Sequence, residues 1–308
     1  MDQLTEQAIS MLRRDGRASY SELARRLGTT RANIARRLSP LFDSGRLNVV
    51  AALHPSLFGL DVLARLGVRA EGPIDPLVEA IRALDAPAFI SEVSGGTQIV
   101  IEMHLADLDE LRRDVTTIRS MPGVIDVDVL IYERLIHSFF LLGGEPTIGP
   151  DEIDEIDLRL MELLQLDGRL GFAELGEAVG LSLSGCRARV QRLVDSGAMR
   201  IGAIMQRDDA HDAGLMFGFG FSSVGDRDEL IALLRAHPGT DFLASAIGRY
   251  ELLATVVFTT VREFRELLEA VRAVTGVGVV EQWLHIRVRE ERYHHSLRRI
   301  RHARASLG

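Results

Sequence analysis

Apolar residues near the start of the chain recur every three to four positions, which is the spacing of amphipathic helices. A first helix is predicted over residues 4–14 and is expected to end at Gly16, because glycine commonly stops a helix. Ser19 stands three residues before Glu22, the spacing of a capping box, and predicts the start of a second helix. The pattern therefore predicts two short, closely spaced helices.

A third helix is predicted after a tight turn at Gly28, with Thr29 or Thr30 as its N-cap and its end near Ser44. Residues 47–53 are mostly apolar and predict a short strand, the wing. Two helices joined by a glycine turn, with the later one rich in polar and basic residues, are typical of a helix-turn-helix DNA-binding motif.

The period of the pattern changes beyond this motif. Strand-like alternation and amphipathic helices follow one another in the order βαββαβ, which is the ferredoxin-like arrangement. The six segments are residues 62–70, 73–84, 87–96, 97–105, 108–121 and 124–136. A stretch rich in glycine and proline, residues 143–152, predicts a linker.

The whole pattern then occurs a second time. Residues 12–50 align with residues 164–202 at a constant offset of 152, and 12 of the 39 positions are identical. We therefore predict an α+β chain in which two winged helix-turn-helix domains alternate with two ferredoxin-like domains. The predicted boundaries are 1–53 for the first helix-turn-helix, 54–142 for the first βαββαβ domain, 143–152 for the linker, 153–205 for the second helix-turn-helix, 206–293 for the second βαββαβ domain, and 294–308 for a basic tail.

The charge is uneven along the chain. The net charge of -8 argues against a general nucleic-acid coat protein. Residues 1–50 nevertheless hold nine arginines against five acidic residues, whereas residues 151–205 hold six against ten. Because phosphate neutralisation supplies much of DNA affinity, local charge favours the first helix-turn-helix as the stronger binder.

Composition also excludes several functions. All 36 basic residues are arginine, so a lysine Schiff base and a Walker-type phosphate loop are excluded. A single cysteine, Cys186, excludes an intrachain disulfide and fits a reducing cytoplasm, where we expect the protein. We find no apolar run long enough for a membrane span, no secretory signal and no enzyme motif. No catalytic residue, metal site or cofactor is predicted.

Three motifs resemble the Lrp/AsnC, or feast/famine, family of transcription regulators. GLSLSGCRARVQRLVDSGAM at 180–199 is similar to its recognition helix, IGRYELLATVVF at 247–258 to its effector-loop strand pair, and TGVGVVEQ at 275–282 to its last turn. The resemblance implies RAM-type ferredoxin-like domains that pair subunits and bind small effectors, often amino acids. It also implies double-stranded DNA as a partner. The two βαββαβ modules are expected to pair through their sheets, either within one chain or with other chains, and in both cases to build a homo-oligomer.

The first copy departs from the family pattern in two places. Residues 94–103 lack the tyrosine and acid of the effector loop. Pro40 interrupts the first recognition helix and is expected to kink it near Arg36 and Arg37. The family pattern thus favours the second copy as DNA reader, whereas charge favours the first.

Candidate site residues follow from docking geometry and from the resemblance. The first turns of a recognition helix reach base edges in the major groove. The candidates for DNA contact are Thr30, Arg31, Asn33, Arg36, Arg37, Ser182, Ser184, Arg187 and Arg189. The resemblance implies effector binding at Gly248, Tyr250 and Glu251.

Two other functions remain open at this stage. Sirohaem decarboxylases resemble Lrp/AsnC proteins and would need a tetrapyrrole pocket that bears histidine and arginine. His104, His137 and His285 lie on or just after predicted strands, but the sequence shows no clustered arrangement of them. A ligand sensor that has lost DNA binding is the other. The first alternative predicts a tetrapyrrole absorbance band, and the second predicts effector affinity without a preferred DNA sequence.

Overall fold

A computed structural model of the protein describes residues 2–138, 145–205, 214–223 and 227–292. These residues form two compact units. We call residues 2–58 and 145–205 the head unit, and residues 59–138, 214–223 and 227–292 the barrel unit. The predicted basic tail at 294–308 and the start of the predicted linker lie outside the described residues.

The elements follow the predicted order to within a few residues. The helices are α1 Gln3–Arg14, α2 Tyr20–Arg26, α3 Arg31–Asp43, α4 Ile74–Arg82, α5 Leu108–Arg119, α6 Glu155–Leu166, α7 Phe172–Val179, α8 Leu183–Asp195, α9 Arg227–Ala236 and α10 Val261–Ala273. The strands are β1 Leu47–Leu53, β2 Val62–Ala70, β3 Pro87–Val93, β4 Ile99–Leu105, β5 Val124–Ser138, β6 Met199–Met205, β7 Leu215–Ser223, β8 Thr240–Ile247, β9 Leu252–Phe258 and β10 Val277–Glu291.

Side-chain caps and glycines set the helix ends in the head unit. Ser19 accepts a hydrogen bond from the backbone nitrogen of Glu22 at the start of α2, as the capping spacing predicts. Gly28 and Gly45 have φ of +63° and +71°, so each makes the left-handed turn that follows a helix. Helix α3 continues through Pro40 to Asp43.

The head unit pairs its two helix-turn-helix copies through a shared ribbon. Strands β1 and β6 run antiparallel, from Leu47 opposite Met205 to Leu53 opposite Met199. The strand predicted at residues 47–53 is confirmed as β1, and its apolar side chains are buried. Gly16 was expected only to stop a helix, but a Cβ there would lie 2.6 Å from Val49 and 3.0 Å from the Gly202 backbone.

The barrel unit contains both βαββαβ modules. The first has strand order β3-β4-β2-β5 and the second β8-β9-β7-β10, each the ferredoxin-like order. Antiparallel pairing of β5 with β8 and of β10 with β3 joins the two sheets into one closed eight-stranded barrel. The sheets therefore pair within one chain, and the barrel has no open edge for pairing between chains.

Successive side chains of each barrel strand point alternately to the helices outside the barrel and to its interior. Ala64, Leu66 and Val68 of β2 pack in the core beneath α4 and α5, and Phe219 and Phe221 lie in the matching core of the second module. Eight strands enclose room only for side chains, so the helices lie outside and the alternate residues point inward. No helix in the described part of the chain is long and apolar enough to cross a membrane.

Candidate recognition helices and barrel interior

The first recognition helix, α3, presents polar residues at its N-terminal turns. The Thr30 side chain caps it and accepts a hydrogen bond from the Asn33 backbone nitrogen at 3.2 Å. The Asn33 amide oxygen accepts hydrogen bonds from Arg36, at 3.0 Å, and from Arg37. Arg31 and Arg36 are exposed, and neither forms an ion pair with any described residue. Two of the predicted arginines are therefore available to an anionic partner.

Arg37 and its repeat equivalent Arg189 have a different role. Arg37 pairs with Asp2, the N-cap of α1, at 2.9 Å, and Arg189 pairs with Asp154, the N-cap of α6, at 2.6 Å. Hydrogen bonds from Thr5, with a smaller contribution from Arg37, lower the pKa of the Asp2 carboxyl to about 2. Each copy thus ties its recognition helix to its first helix.

The second recognition helix, α8, has fewer unpaired cations. Ser182 caps it by accepting from the Gly185 backbone nitrogen, and the Ser184 hydroxyl lies 3.1 Å from that of Ser182. Arg187 is exposed, but Arg192 pairs at 2.5 Å with Asp157, a fully buried carboxylate. Cys186 is a buried free thiol on the inner side of the same helix.

Contacts between the two copies are related by the repeat offset. Arg17 donates to the carbonyl oxygens of Gly168, at 2.8 Å, and Leu170, at 2.7 Å, and lies 4.2 Å from the centre of the Phe172 ring. Its equivalent Arg169 lies 5.4 Å from the centre of the Tyr20 ring. The head unit is therefore an intrachain pseudo-dimer with a pseudo-two-fold relation between its heads.

The barrel interior holds a charged cluster that sequence reasoning did not single out. Arg65, on β2, is 4% exposed, and its guanidinium carbon lies 4.3 Å from the centre of the Trp283 ring on β10. The Trp283 indole nitrogen donates to Nε2 of His285 at 3.2 Å, and Nδ1 of His285 lies 3.0 Å from the Ser91 hydroxyl. His285 thus belongs to the cluster, while His104 and His137 lie on β4 and β5.

Glu102 and Tyr132 complete this cluster. Tyr132 Oη donates to the Glu102 carboxylate at 2.5 Å. Burial raises the pKa of Glu102 to about 7, against the opposing effects of Arg65 and of the Tyr132 hydrogen bond. Burial also raises the pKa of Tyr132 well above its usual range. The interior therefore contains a carboxyl group that titrates near neutral pH.

The three predicted effector residues do not converge on one pocket. Tyr250 is buried in the barrel lining and donates to Glu281, and its ring centre lies 6.3 Å from that of Trp283. Gly248 has a φ of +142°, and a Cβ there would overlap Leu130. Glu251 is exposed at the turn between β8 and β9. Only Tyr250 of the three reaches the interior cluster.

Two sequence signals for this cluster were available. Arg65 and Glu102 interrupt otherwise apolar strands at inward positions, which is unusual for charged residues. The second signal is Gly218 and Gly220, two residues apart on β7. A Cβ at Gly218 would overlap the Trp283 ring, and one at Gly220 would lie 2.5 Å from the Tyr250 ring. These glycines make space for aromatic side chains in the barrel.

Sequence comparisons match the repeated motif. The AsnC-type helix-turn-helix domain matches at residues 1–41 and again at 153–194. An uncharacterised HTH-type transcriptional regulator of Pyrococcus abyssi is 29% identical over 115 residues, which cover 37% of this chain and 73% of the relative. A second regulator from the same organism is 26% identical over 144 residues, covering 46% of this chain and 98% of that protein.

Among solved structures, a siroheme decarboxylase matches almost the whole chain. It has a TM-score of 0.59 at 14% identity, and the match covers 99% of both chains. The same enzyme has been solved in complex with an iron-uroporphyrin III analogue. At this identity the similarity shows a shared fold.

Proposed function

Because this chain belongs to the Lrp/AsnC family of helix-turn-helix transcription regulators, we propose that it binds a specific DNA site with two heads carried by one polypeptide. The observation that carries this proposal is the β1–β6 ribbon, which pairs two AsnC-type motifs inside one chain. Helix-turn-helix dimers place two recognition helices in successive major grooves. Here a tandem duplication supplies both helices without a second chain.

The first head is proposed to lead in binding. Arg31 and Arg36 are exposed in the first half of α3 and form no ion pair within the described part of the chain. On α8, Arg187 is exposed, whereas Arg189 and Arg192 pair with Asp154 and Asp157. Arginine grips guanine with two hydrogen bonds, and each such contact discriminates by ~1–3 kcal/mol. Thr30, Ser182 and Ser184 are proposed to contribute phosphate contacts beside their capping role.

Arg37 and Arg189 are proposed as positioning residues. Each ties the middle of a recognition helix to the N-cap of the first helix of its head. Asn33 is proposed to orient Arg36 toward the groove through their 3.0 Å hydrogen bond.

The test is selection of bound fragments from the source genome at physiological salt. Wild type is compared with an Arg31→Ala/Arg36→Ala variant. Enrichment of a defined site that is lost in this variant supports a regulator led by the first head. Each lost phosphate contact should also reduce the slope of log affinity against log salt by about 1.

A matched control separates specific contacts from loss of charge. Arg112 and Arg272 are exposed arginines on helices of the barrel unit, at 75% and 66% exposure. An Arg112→Ala/Arg272→Ala variant has the same net charge as the test variant and should keep full enrichment. If wild type enriches no fragment above background, the regulator proposal is wrong.

We further propose that a small effector, an amino acid or a related metabolite, binds the barrel unit and changes DNA affinity. Reciprocity then requires DNA to change effector affinity by the same factor. A homo-oligomer would form through surfaces other than sheet edges, because the barrel leaves none open. The cytoplasm is the proposed compartment, since the DNA target lies there.

A second candidate is a siroheme-decarboxylase-like enzyme. The whole-chain fold similarity and two buried side chains of the barrel unit, Arg65 and His285, favour it specifically. Titration with an iron uroporphyrin, followed by absorbance, tests it. A shifted tetrapyrrole band with one equivalent bound would support this candidate, and an unchanged spectrum would exclude it.

A further inference from the structure

The two recognition helices can be compared residue by residue. Helices α3 and α8 have 13 residues each, and their caps, Thr30 and Ser182, are separated by the repeat offset of 152. Each helix buries its fourth residue, Ile34 in α3 and Cys186 in α8, and also its eighth, so both helices turn the same positions inward. The residues that face outward in one helix therefore have direct counterparts in the other.

The outward residues differ between the two helices. The first residue of α3 is the exposed Arg31, and the first residue of α8 is Leu183, which is 54% exposed. Arg36 of α3 corresponds to Ala188 of α8. The exposed arginine of α8 is Arg187, one position earlier in its helix than Arg36. The two helices thus present different chemistry at the positions that would meet a DNA groove.

Position along the helix decides which base a side chain can reach. Successive residues of an α-helix are rotated by about 100° and advance by about 1.5 Å, so Arg187 leaves α8 on a different side from that on which Arg36 leaves α3. Leu183 and Arg187 are four residues apart and lie one turn apart on the same side of α8. Arginine selects guanine, whereas an apolar side chain contacts the methyl group of thymine. The two helices therefore favour different bases at different places in the groove.

We propose that Leu183 is a specificity-determining residue and that the chain recognises a non-palindromic DNA site made of two unlike half-sites. Arg31 and Arg36 bind guanines in one half-site. Leu183 and Arg187 bind the other, where a thymine methyl group lies beside a guanine. This inference rests on the proposed DNA-binding function and adds the base content and the direction of the site.

A site of this kind requires two heads that differ. A homodimer carries two identical recognition helices, so its half-sites are related by symmetry. Here the heads have different sequences and are joined by the β1–β6 ribbon within one chain. The Arg37–Asp2 and Arg189–Asp154 pairs hold the two recognition helices in equivalent ways. The difference between the heads thus lies in the outward residues, and one polypeptide always carries both kinds.

The experiment selects sites for the full chain from a random DNA pool at physiological salt. Each thymine of the selected site is then replaced in turn by deoxyuridine, which removes only the methyl group, and affinity is measured by fluorescence anisotropy. Leu183→Ala is the test variant. Leu108→Ala is its matched control, because Leu108 is also the first residue of a helix, follows a capping aspartate and is 57% exposed, but belongs to the barrel unit.

We expect a selected site with two unlike halves. Replacement of one thymine by deoxyuridine should weaken wild-type binding about fourfold, the effect of one buried methyl group. The Leu108→Ala control should show the same loss, whereas Leu183→Ala should bind the thymine and deoxyuridine sites equally. Arg187→Ala should lose the preference for guanine beside that thymine and leave the other half-site unchanged.

The other outcomes separate this inference from the proposed function. A palindromic selected site would overturn the inference and leave sequence-specific DNA binding in place. A site in which no methyl effect depends on Leu183 would do the same. If no site is selected at all, the proposed function is rejected and this inference with it.

Discussion

Replacing Glu102 by glutamine should make the barrel unit more stable at alkaline pH. The amide keeps an oxygen that can accept the Tyr132 hydroxyl, but it cannot ionise inside the barrel. Wild type must either bury a carboxylate or take up a proton above neutrality. The substitution removes that requirement and leaves the shape of the side chain almost unchanged.

The magnitude follows from the shift in pKa. The pKa of Glu102 rises from 4.5 to about 7 on burial. The folded state then binds the proton more tightly than the unfolded state, so stability falls as pH rises from about 4.5 to 7 and is level above that. At about 1.4 kcal/mol per pKa unit, the loss is about 3 kcal/mol. Glu102→Gln should match wild type near pH 5 and exceed it by about 3 kcal/mol at pH 8.

Urea denaturation followed by Trp283 fluorescence measures this difference, because the only tryptophan lies in the same interior. Glu281→Gln is the control, since Glu281 is 27% exposed and pairs with Arg249. The control should keep the pH dependence of wild type. A Glu102→Gln variant that loses stability between pH 5 and 8 as steeply as wild type would refute the reasoning.

Three further outcomes are expected. Arg17→Ala should destabilise the head unit by about 3 kcal/mol in urea denaturation, because two backbone carbonyls lose a charged donor. Arg169→Ala loses ring contacts and should cost about 1 kcal/mol. Equal effects of the two substitutions would contradict the different roles given to Arg17 and Arg169. Gly218→Ala should lower stability by about 1–3 kcal/mol and shift tryptophan emission to longer wavelength, because the added Cβ overlaps the Trp283 ring. Gly278→Ala should leave the emission unchanged, because its Cβ would lie 3.6 Å from its nearest neighbour, the Ser222 hydroxyl. Asp157→Ala should lower the free energy of unfolding by about 2 kcal/mol. This loss is smaller than that from breaking a fully buried ion pair, because the side chains of Arg189 and Arg192 are each about a third exposed. An unchanged urea midpoint would argue against a structural role for Asp157.

The elements could be predicted because the pattern of apolar positions is strong and repeated. The strands of the first βαββαβ module begin where the alternation begins, at residues 62, 87 and 124 for three of the four. The order of strands within each module follows from the βαββαβ sequence. Periodicity describes each segment separately, however, so it does not specify which sheet edges meet. Closure of the barrel and the β1–β6 ribbon could therefore not be predicted from periodicity.

The site residues were predictable only in part, for a related reason. Arg37 and Arg189 have the right type and position for DNA contact, but the acids that hold them, Asp2 and Asp154, are distant in sequence. Gly16 satisfies a helix-stop pattern, yet the closer constraint is the neighbouring strand at Val49. In each case a local pattern has two explanations, and a long-range contact decides between them.

The two units have kept the symmetry of the duplication to different degrees. In the head unit, residues at equivalent positions of the two copies form the same ion pair, Asp2–Arg37 in the first and Asp154–Arg189 in the second. In the barrel unit they do not: Arg65 is the fourth residue of β2, and the fourth residue of β7 is Gly218. Symmetric heads suit two DNA half-sites, whereas among the described residues the barrel keeps a buried arginine in only one of its two modules.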